Sequence, residues 1–194
     1  MTLFDLLFIA LFLTAAVTLL VAAGSALLGR LAKAGRILRR LGLGVLAYML
    51  LVVAASLATP RRFLGIGEDQ CSDDWCIAVA GLAQAPAAGG TRYDVTFRLR
   101  SRARRVPQRE RNVVVYLRDQ AGRRYDAGEE ESGPPFDVVL QPGETAATTR
   151  SFVLPAGAQD VGVVVSRGGV PFPSCCIIGD EGSLLHKRTV VRLE

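Results

Sequence analysis

Two long apolar runs open the chain, and a period-two pattern fills most of the remainder. Residues 6–29 and 41–60 carry no charged side chain. At about 1.5 Å per helical residue these runs reach roughly 36 and 30 Å, and a hydrocarbon core is about 30 Å thick. The pattern predicts two transmembrane helices, over about 4–29 and 41–59, joined by a loop at 30–40. That loop, Arg30-Leu-Ala-Lys33-Ala-Gly-Arg36-Ile-Leu-Arg39-Arg40, holds five cations and no acid. Only Asp5 precedes the first run, and Arg61-Arg62 follow the second. Basic loops stay in the cytoplasm, so Arg30, Lys33, Arg36, Arg39 and Arg40 set the topology, with both chain ends outside. Residues 1–60 then form a two-pass anchor in the cell membrane whose partner is the lipid bilayer.

A cleaved signal peptide is the alternative for the first run, since Ala22-Ala23-Gly24-Ser25-Ala26 offers small residues. Residues 1–5 lack the cations such a peptide carries, and the run exceeds a typical h-region. Ala16, Ala23, Gly24, Gly44, Ala47, Ala54 and Ala58 would let the two helix backbones approach closely in lipid. No ionisable residue interrupts either run, which leaves a transport or proton pathway nothing to use.

Beyond residue 60 the apolar positions alternate. Tyr93, Val95, Phe97 and Leu99 interleave with Arg92, Asp94, Thr96, Arg98 and Arg100, which predicts a strand with one buried and one wet face. Val113, Val115 and Leu117 give the next stripe, and Asp119-Gln-Ala-Gly122 supplies a turn from which 123–127 returns as a hairpin. Further strands are expected at 76–82, 136–140, 145–154, 161–166 and 184–193, with 83–90 as a loop rich in Ala, Pro and Gly. The sum is an antiparallel, immunoglobulin-like sandwich of about seven or eight strands over residues 61–194.

Charge supports the same division and adds no function. The chain has 194 residues and a formal net charge of +5. The basic segment at 30–40 carries that excess, and the part beyond residue 60 is nearly neutral. General attraction to nucleic acid therefore loses its support. One globular domain fits the length that remains after the anchor.

The cysteines fall in two pairs, Cys71 with Cys76 and Cys175 with Cys176. An exported domain would oxidise them. A bond between the adjacent Cys175 and Cys176 departs from usual geometry, which favours cross-pairing between the clusters in either register. Thiol redox chemistry would want Cys-x-x-Cys at a helix start, and a zinc site would need two neighbouring residues to face one ion. Neither a metal nor a cofactor is expected. Acidic clusters at Glu68, Asp69, Asp73 and Asp74, at Glu129-Glu130-Glu131 and at Asp180-Glu181 read as solvated loop charge, because no calcium-loop spacing is present.

Between Arg98 and Arg111 stand seven arginines against one acid, Glu110. On a continuing strand, Arg98, Arg100, Arg102 and Arg104 would share one face at about 6.7 Å spacing. Such a stripe suits an anionic envelope polymer, lipid head groups, or an acidic envelope or membrane protein. Nucleic acid is not expected, since no aromatic residue lies between Phe97 and Tyr116 to stack a base. His186, the only histidine, reads as an ordinary strand residue, and a triad with Ser183 or Ser151 lacks a nucleophile elbow.

Strand 93–99, the hairpin ending Gly122-Arg-Arg-Tyr125 and the turn Leu140-Gln-Pro-Gly-Glu144 together resemble the bacterial immunoglobulin-like domains of unknown function found in exported lipoproteins and membrane-anchored proteins. That family is similar to secreted mycobacterial immunoprotective antigens. The resemblance spans roughly residues 77–193 and implies a fold, with no chemistry attached. The expected function is a membrane-anchored, extracytoplasmic binding or structural module that is not an enzyme. The alternative is an accessory or sensor subunit of a larger membrane complex, with a thiol-redox or hydrolytic enzyme behind it.

Overall fold

A computed structural model describes residues 3–128, 130–168, 172–178 and 182–193. The chain forms two compact units, Met1–Pro60 with Val170–Lys187 and Arg61–Gly169 with Arg188–Glu194.

In the first unit, α1 (Leu3–Leu27) and α2 (Leu31–Ala58) are each long and apolar enough to cross a membrane. The turn between them is short. Gly29 takes φ 74°, and the Gly29 and Arg30 amides donate to the Ala26 and Ser25 carbonyls, capping α1. The basic segment expected as a loop at 30–40 is therefore helical from Leu31. Leu, Ala, Lys and Arg are all strong helix formers, and nothing there breaks the helix. A charge-free run reports where hydrocarbon is tolerated, whereas helix ends follow caps and turn residues. Lys33, Arg36 and Arg40 share one face of α2 by their spacing. The buried positions of the pair are mostly small: Ala22, Ser25, Ala34, Val52 and Ser56. Ala23, Gly44, Ala47, Ala54 and Ala58, expected at the contact, stay exposed.

The second unit is a sandwich of two five-stranded sheets. One sheet orders β1 (Phe63–Leu64), β10 (Val190–Arg192), β9 (Gly162–Arg167), β5 (Val113–Arg118) and β6 (Arg124–Asp126). The other orders β2 (Gln70–Ser72), β3 (Trp75–Ala87), β4 (Gly90–Ser101), β8 (Thr145–Pro155) and β7 (Glu131–Ser132). Three short strands that were not expected, β1, β2 and β7, bring the count to ten, and β1 pairs with β10 in parallel, against the all-antiparallel expectation. Phe97, Leu99, Phe152 and Leu154 of the second sheet pack against Leu117 and Val163 of the first, with Trp75 and Leu140 in the same core.

Three sequence expectations change. Residues 83–87, expected as loop, extend β3 as far as Ala87, opposite Gly90. Pro86 is tolerated because β2 pairs only with Trp75, Cys76 and Ile77, so nothing on that side of β3 needs its missing N–H. The strand expected at 136–140 is a turn that ends in a single bridge, Gln108 to Leu140. The terminal strand expected at 184–193 is confined to Val190–Arg192, and His186 lies in a turn before it.

Candidate functional site

On β4, Val95, Phe97 and Leu99 point inward, so alternation turns Arg98 and Arg100 to the opposite face. Arg98 donates to Asp69 Oδ1 at 3.0 Å and to the Gly67 carbonyl at 3.2 Å. Arg100 lies opposite Cys76 of β3 and Thr145 of β8. The strand stops at Ser101, where its partner β3 begins at Trp75. Arg102 therefore sits in the following loop: its amide donates to the Asp74 carbonyl at 2.7 Å, and its guanidinium lies 3.8 Å from Cys71 Sγ. Arg104 falls in a bend further on. The expected four-residue stripe is thus two strand arginines followed by two loop arginines.

The neighbouring arginines differ in how they are neutralised. Arg92 pairs with Asp94 and Glu130, Arg98 with Asp69, and Arg109 with Asp137. Among the described residues, Arg100, Arg104 and Arg105 make no ion pair or side-chain hydrogen bond and are exposed. The paired carboxyls respond to their partners. The Ser151 hydroxyl, 2.6 Å away, and Arg92 hold Asp94 below the usual carboxylate range, and Arg109 does the same to Asp137.

The same face holds a disulfide. Cys71 and Cys76 face each other across the β2–β3 hairpin with Cα atoms 4.0 Å apart, and they are bonded. Cys175 and Cys176 are free, with their sulfurs 3.4 Å apart in a short 3-10 turn. The cross-pairing expectation is overturned because the hairpin register brings the first pair together locally. Burial and Cys175 push the Cys176 thiol up, away from the thiolate a redox site needs. Cys71 and Cys76 also lie close to the Asp69 carboxylate, but their sulfurs are spent on each other.

The remaining candidates are dispersed. The Ser151 hydroxyl donates to Asp94, and the Ser183 hydroxyl to the Ile177 carbonyl, so neither is directed at His186. Glu68 accepts the Gly65 amide, and Glu131 pairs with Arg150. Glu129, Asp180 and Glu181 lie outside the described residues.

Two polar clasps were not anticipated. Asp119, buried where β5 ends, accepts from the Arg123 amide at 2.9 Å, the Arg123 guanidinium at 2.7 Å and the Tyr125 hydroxyl at 3.0 Å. Burial would raise its carboxyl, but these donors together hold it below the usual range. The signal was an Asp opening a turn that ends in Tyr125. Arg150, 3% exposed, reaches Thr148 Oγ1 at 2.6 Å and Glu131 at 3.2 Å, and lies 4.6 Å from the centre of the Phe136 ring. Alternation puts it on the inward face with Phe152 and Leu154, and only its charge argues for the surface. A cavity of about 350 Å³ is lined by Gln84, Tyr93, Gln159, Asp160 and Leu193 among others.

The architecture defines a sandwich-bearing chain with two membrane-length helices and no assembled catalytic group among the described residues. No family model matches the chain, and no curated protein matches it. Among solved structures it is similar to an uncharacterized beta-sandwich protein from Clostridium difficile 630, at 13% identity, covering 70% of this chain and 96% of that one, TM-score 0.44. It is also similar to the secreted protein MPT63 from Mycobacterium tuberculosis, at 14% identity, covering 57% and 93%, TM-score 0.44. A third is the yjhA protein from Bacillus subtilis, at 13% identity, covering 68% and 99%, TM-score 0.40.

Proposed function

We propose that this protein is a membrane-anchored, extracytoplasmic binding module without catalytic activity, whose immunoglobulin-like sandwich holds an anionic partner through Arg100, Arg104 and Arg105. The observation that carries this reading is the contrast in neutralisation: Arg92, Arg98 and Arg109 are each paired with a carboxylate, whereas these three have no such partner among the described residues. Guanidinium groups bind phosphate and carboxylate in bidentate fashion, and unpaired ones lose no internal contact on doing so. The basic first turns of α2 support a cytoplasmic turn with both chain ends outside.

The test uses full-length protein in zwitterionic nanodiscs with polyphosphate as the probe. Binding should weaken with salt, and the triple change of Arg100, Arg104 and Arg105 to Ser should reduce affinity about tenfold or more, roughly 0.5 kcal/mol per lost contact. Equal binding by the variant removes the site. A topology reporter fused after Glu194 tests the membrane half of the reading, and a cytoplasmic signal overturns it.

A further inference from the structure

We infer that the described residues between Phe172 and Lys187 form a lipid-inserted flap of the helical unit. Residues 172–178 and 182–187 rest at hydrocarbon depth and present Phe172, Leu184 and Leu185 to acyl chains. This rests on the reading of α1 and α2 as membrane spans.

Three contacts on the helices set the height of the segment. Tyr48 lies eight residues past Arg40, about 12 Å up the axis, and ten residues before Ala58, about 15 Å from it. It is therefore near the middle of the uncharged part of α2, and its hydroxyl donates to the Cys176 carbonyl at 2.7 Å. On α1, the Phe8 and Phe12 rings lie 6.1 and 6.4 Å from that of Phe172. The Lys187 ammonium donates to the Leu57 carbonyl at 2.9 Å, in the last turn of α2. A lysine there covers apolar surface with its stem and keeps its charge near the head groups.

Irregular backbone survives in lipid only where its polar groups are satisfied by protein. This segment meets much of that demand itself. The Cys176, Ile177, Leu184 and His186 amides donate to the Pro173, Ser174, Cys175 and Ser183 carbonyls at 2.9, 3.2, 3.1 and 3.0 Å. The Ser183 hydroxyl donates to the Ile177 carbonyl, and Tyr48 takes the Cys176 carbonyl. Among the described residues what remains outward is apolar: Phe172, Leu184 and Leu185 are 65%, 42% and 60% exposed, while Asp180 and Glu181, which the sequence places between the two stretches, require water or head groups within reach. Leu6, Leu13 and Leu50 on the helices are exposed as well. In water this cluster would be an exposed liability; in a bilayer it needs no further partner.

The test places a tryptophan in each region of full-length protein in phosphatidylcholine nanodiscs, with and without brominated acyl chains. Trp75, buried in the sandwich core, is the common background. Phe172→Trp, Leu185→Trp and Leu13→Trp should each add blue-shifted emission that brominated lipid quenches. If Leu13→Trp is quenched and the two flap variants are not, the flap is overturned. Water-like emission then places it in solvent, and blue unquenched emission places a protein surface over it. If Leu13→Trp is also unquenched, the membrane-span reading fails first and the flap with it.

Discussion

In the sandwich, Phe97, Leu99, Phe152 and Leu154 are fully buried, and the exposed face of β4 is polar. In the helical unit, Leu13, Val17, Leu20 and Leu50 are exposed, and the buried positions are Ala22, Ser25, Ala34, Val52 and Ser56. The same residue types face opposite ways because the driving forces differ. Removing apolar area from water stabilises the sandwich by about 25 cal/mol per Å²; on the proposed reading of α1 and α2 as membrane spans, lipid as apolar as Leu gives the helices no such gain. The buried positions of the helical unit are mostly small, and those of the sandwich are large.

The largest test of that contrast is a large-to-small change in each unit. Phe97→Ala removes a fully buried ring and should cost about 3–5 kcal/mol, read as loss of the cooperative unfolding transition followed by Trp75 fluorescence. Leu20→Ala, at one of the most exposed positions of α1, should stay within about 0.5 kcal/mol when unfolding of the helical unit is followed by circular dichroism. Comparable losses would break the contrast and require that α1 face protein.

A smaller effect separates the two cysteine pairs, one of which lies in each unit. Closing the six-residue loop from Cys71 to Cys76 constrains the unfolded chain by about 2 kcal/mol, well short of a bridge spanning a hundred residues. Cys71→Ser should destabilise the sandwich by about that much. Alkylation of unfolded, non-reduced protein should add two labels, on Cys175 and Cys176, and four after reduction. In the folded protein the half-buried Cys175 and Cys176 should label more slowly than in the unfolded chain. No label before reduction would restore cross-pairing.

These cases show where sequence reasoning carries. Period two located β4, β5 and β8, because each has a face that must be buried and a face that must not. It failed for β2, whose three residues are too few to show a period, and with β2 went the register that joins Cys71 to Cys76. It overran at Arg102 and Arg104, since alternation in sequence continues after the hydrogen-bonding partner has ended. The length of α2 was hidden by its charge, because five cations between two apolar runs read as a boundary, whereas Lys and Arg continue a helix as readily as Leu. Arg150 shares the parity of Phe152 and Leu154, but its charge argues against burial, and the groups that make burial tolerable, Phe136 and Glu131, arrive from a turn and an edge strand.

The smallest expected effect is a pH dependence confined to one unit. Asp119 is held below its ordinary value of about 3.9, so its contribution is fully present above that value and is lost as pH falls through the lower, folded-state value. The same direction holds for Asp94 and Asp137. All three lie in the sandwich, while the helices carry only Asp5. Acidification below about pH 4 should therefore lower the Tm of the sandwich and leave the helical circular dichroism in place. Asp119→Asn should destabilise at neutral pH, because the charge that binds Arg123 is gone, and should flatten the acid slope without abolishing it, since Asp94 and Asp137 still titrate. An unchanged slope in that variant would mean the clasp does not stabilise the folded state, and the hairpin would then depend on the packing of Leu117 and Tyr125 alone.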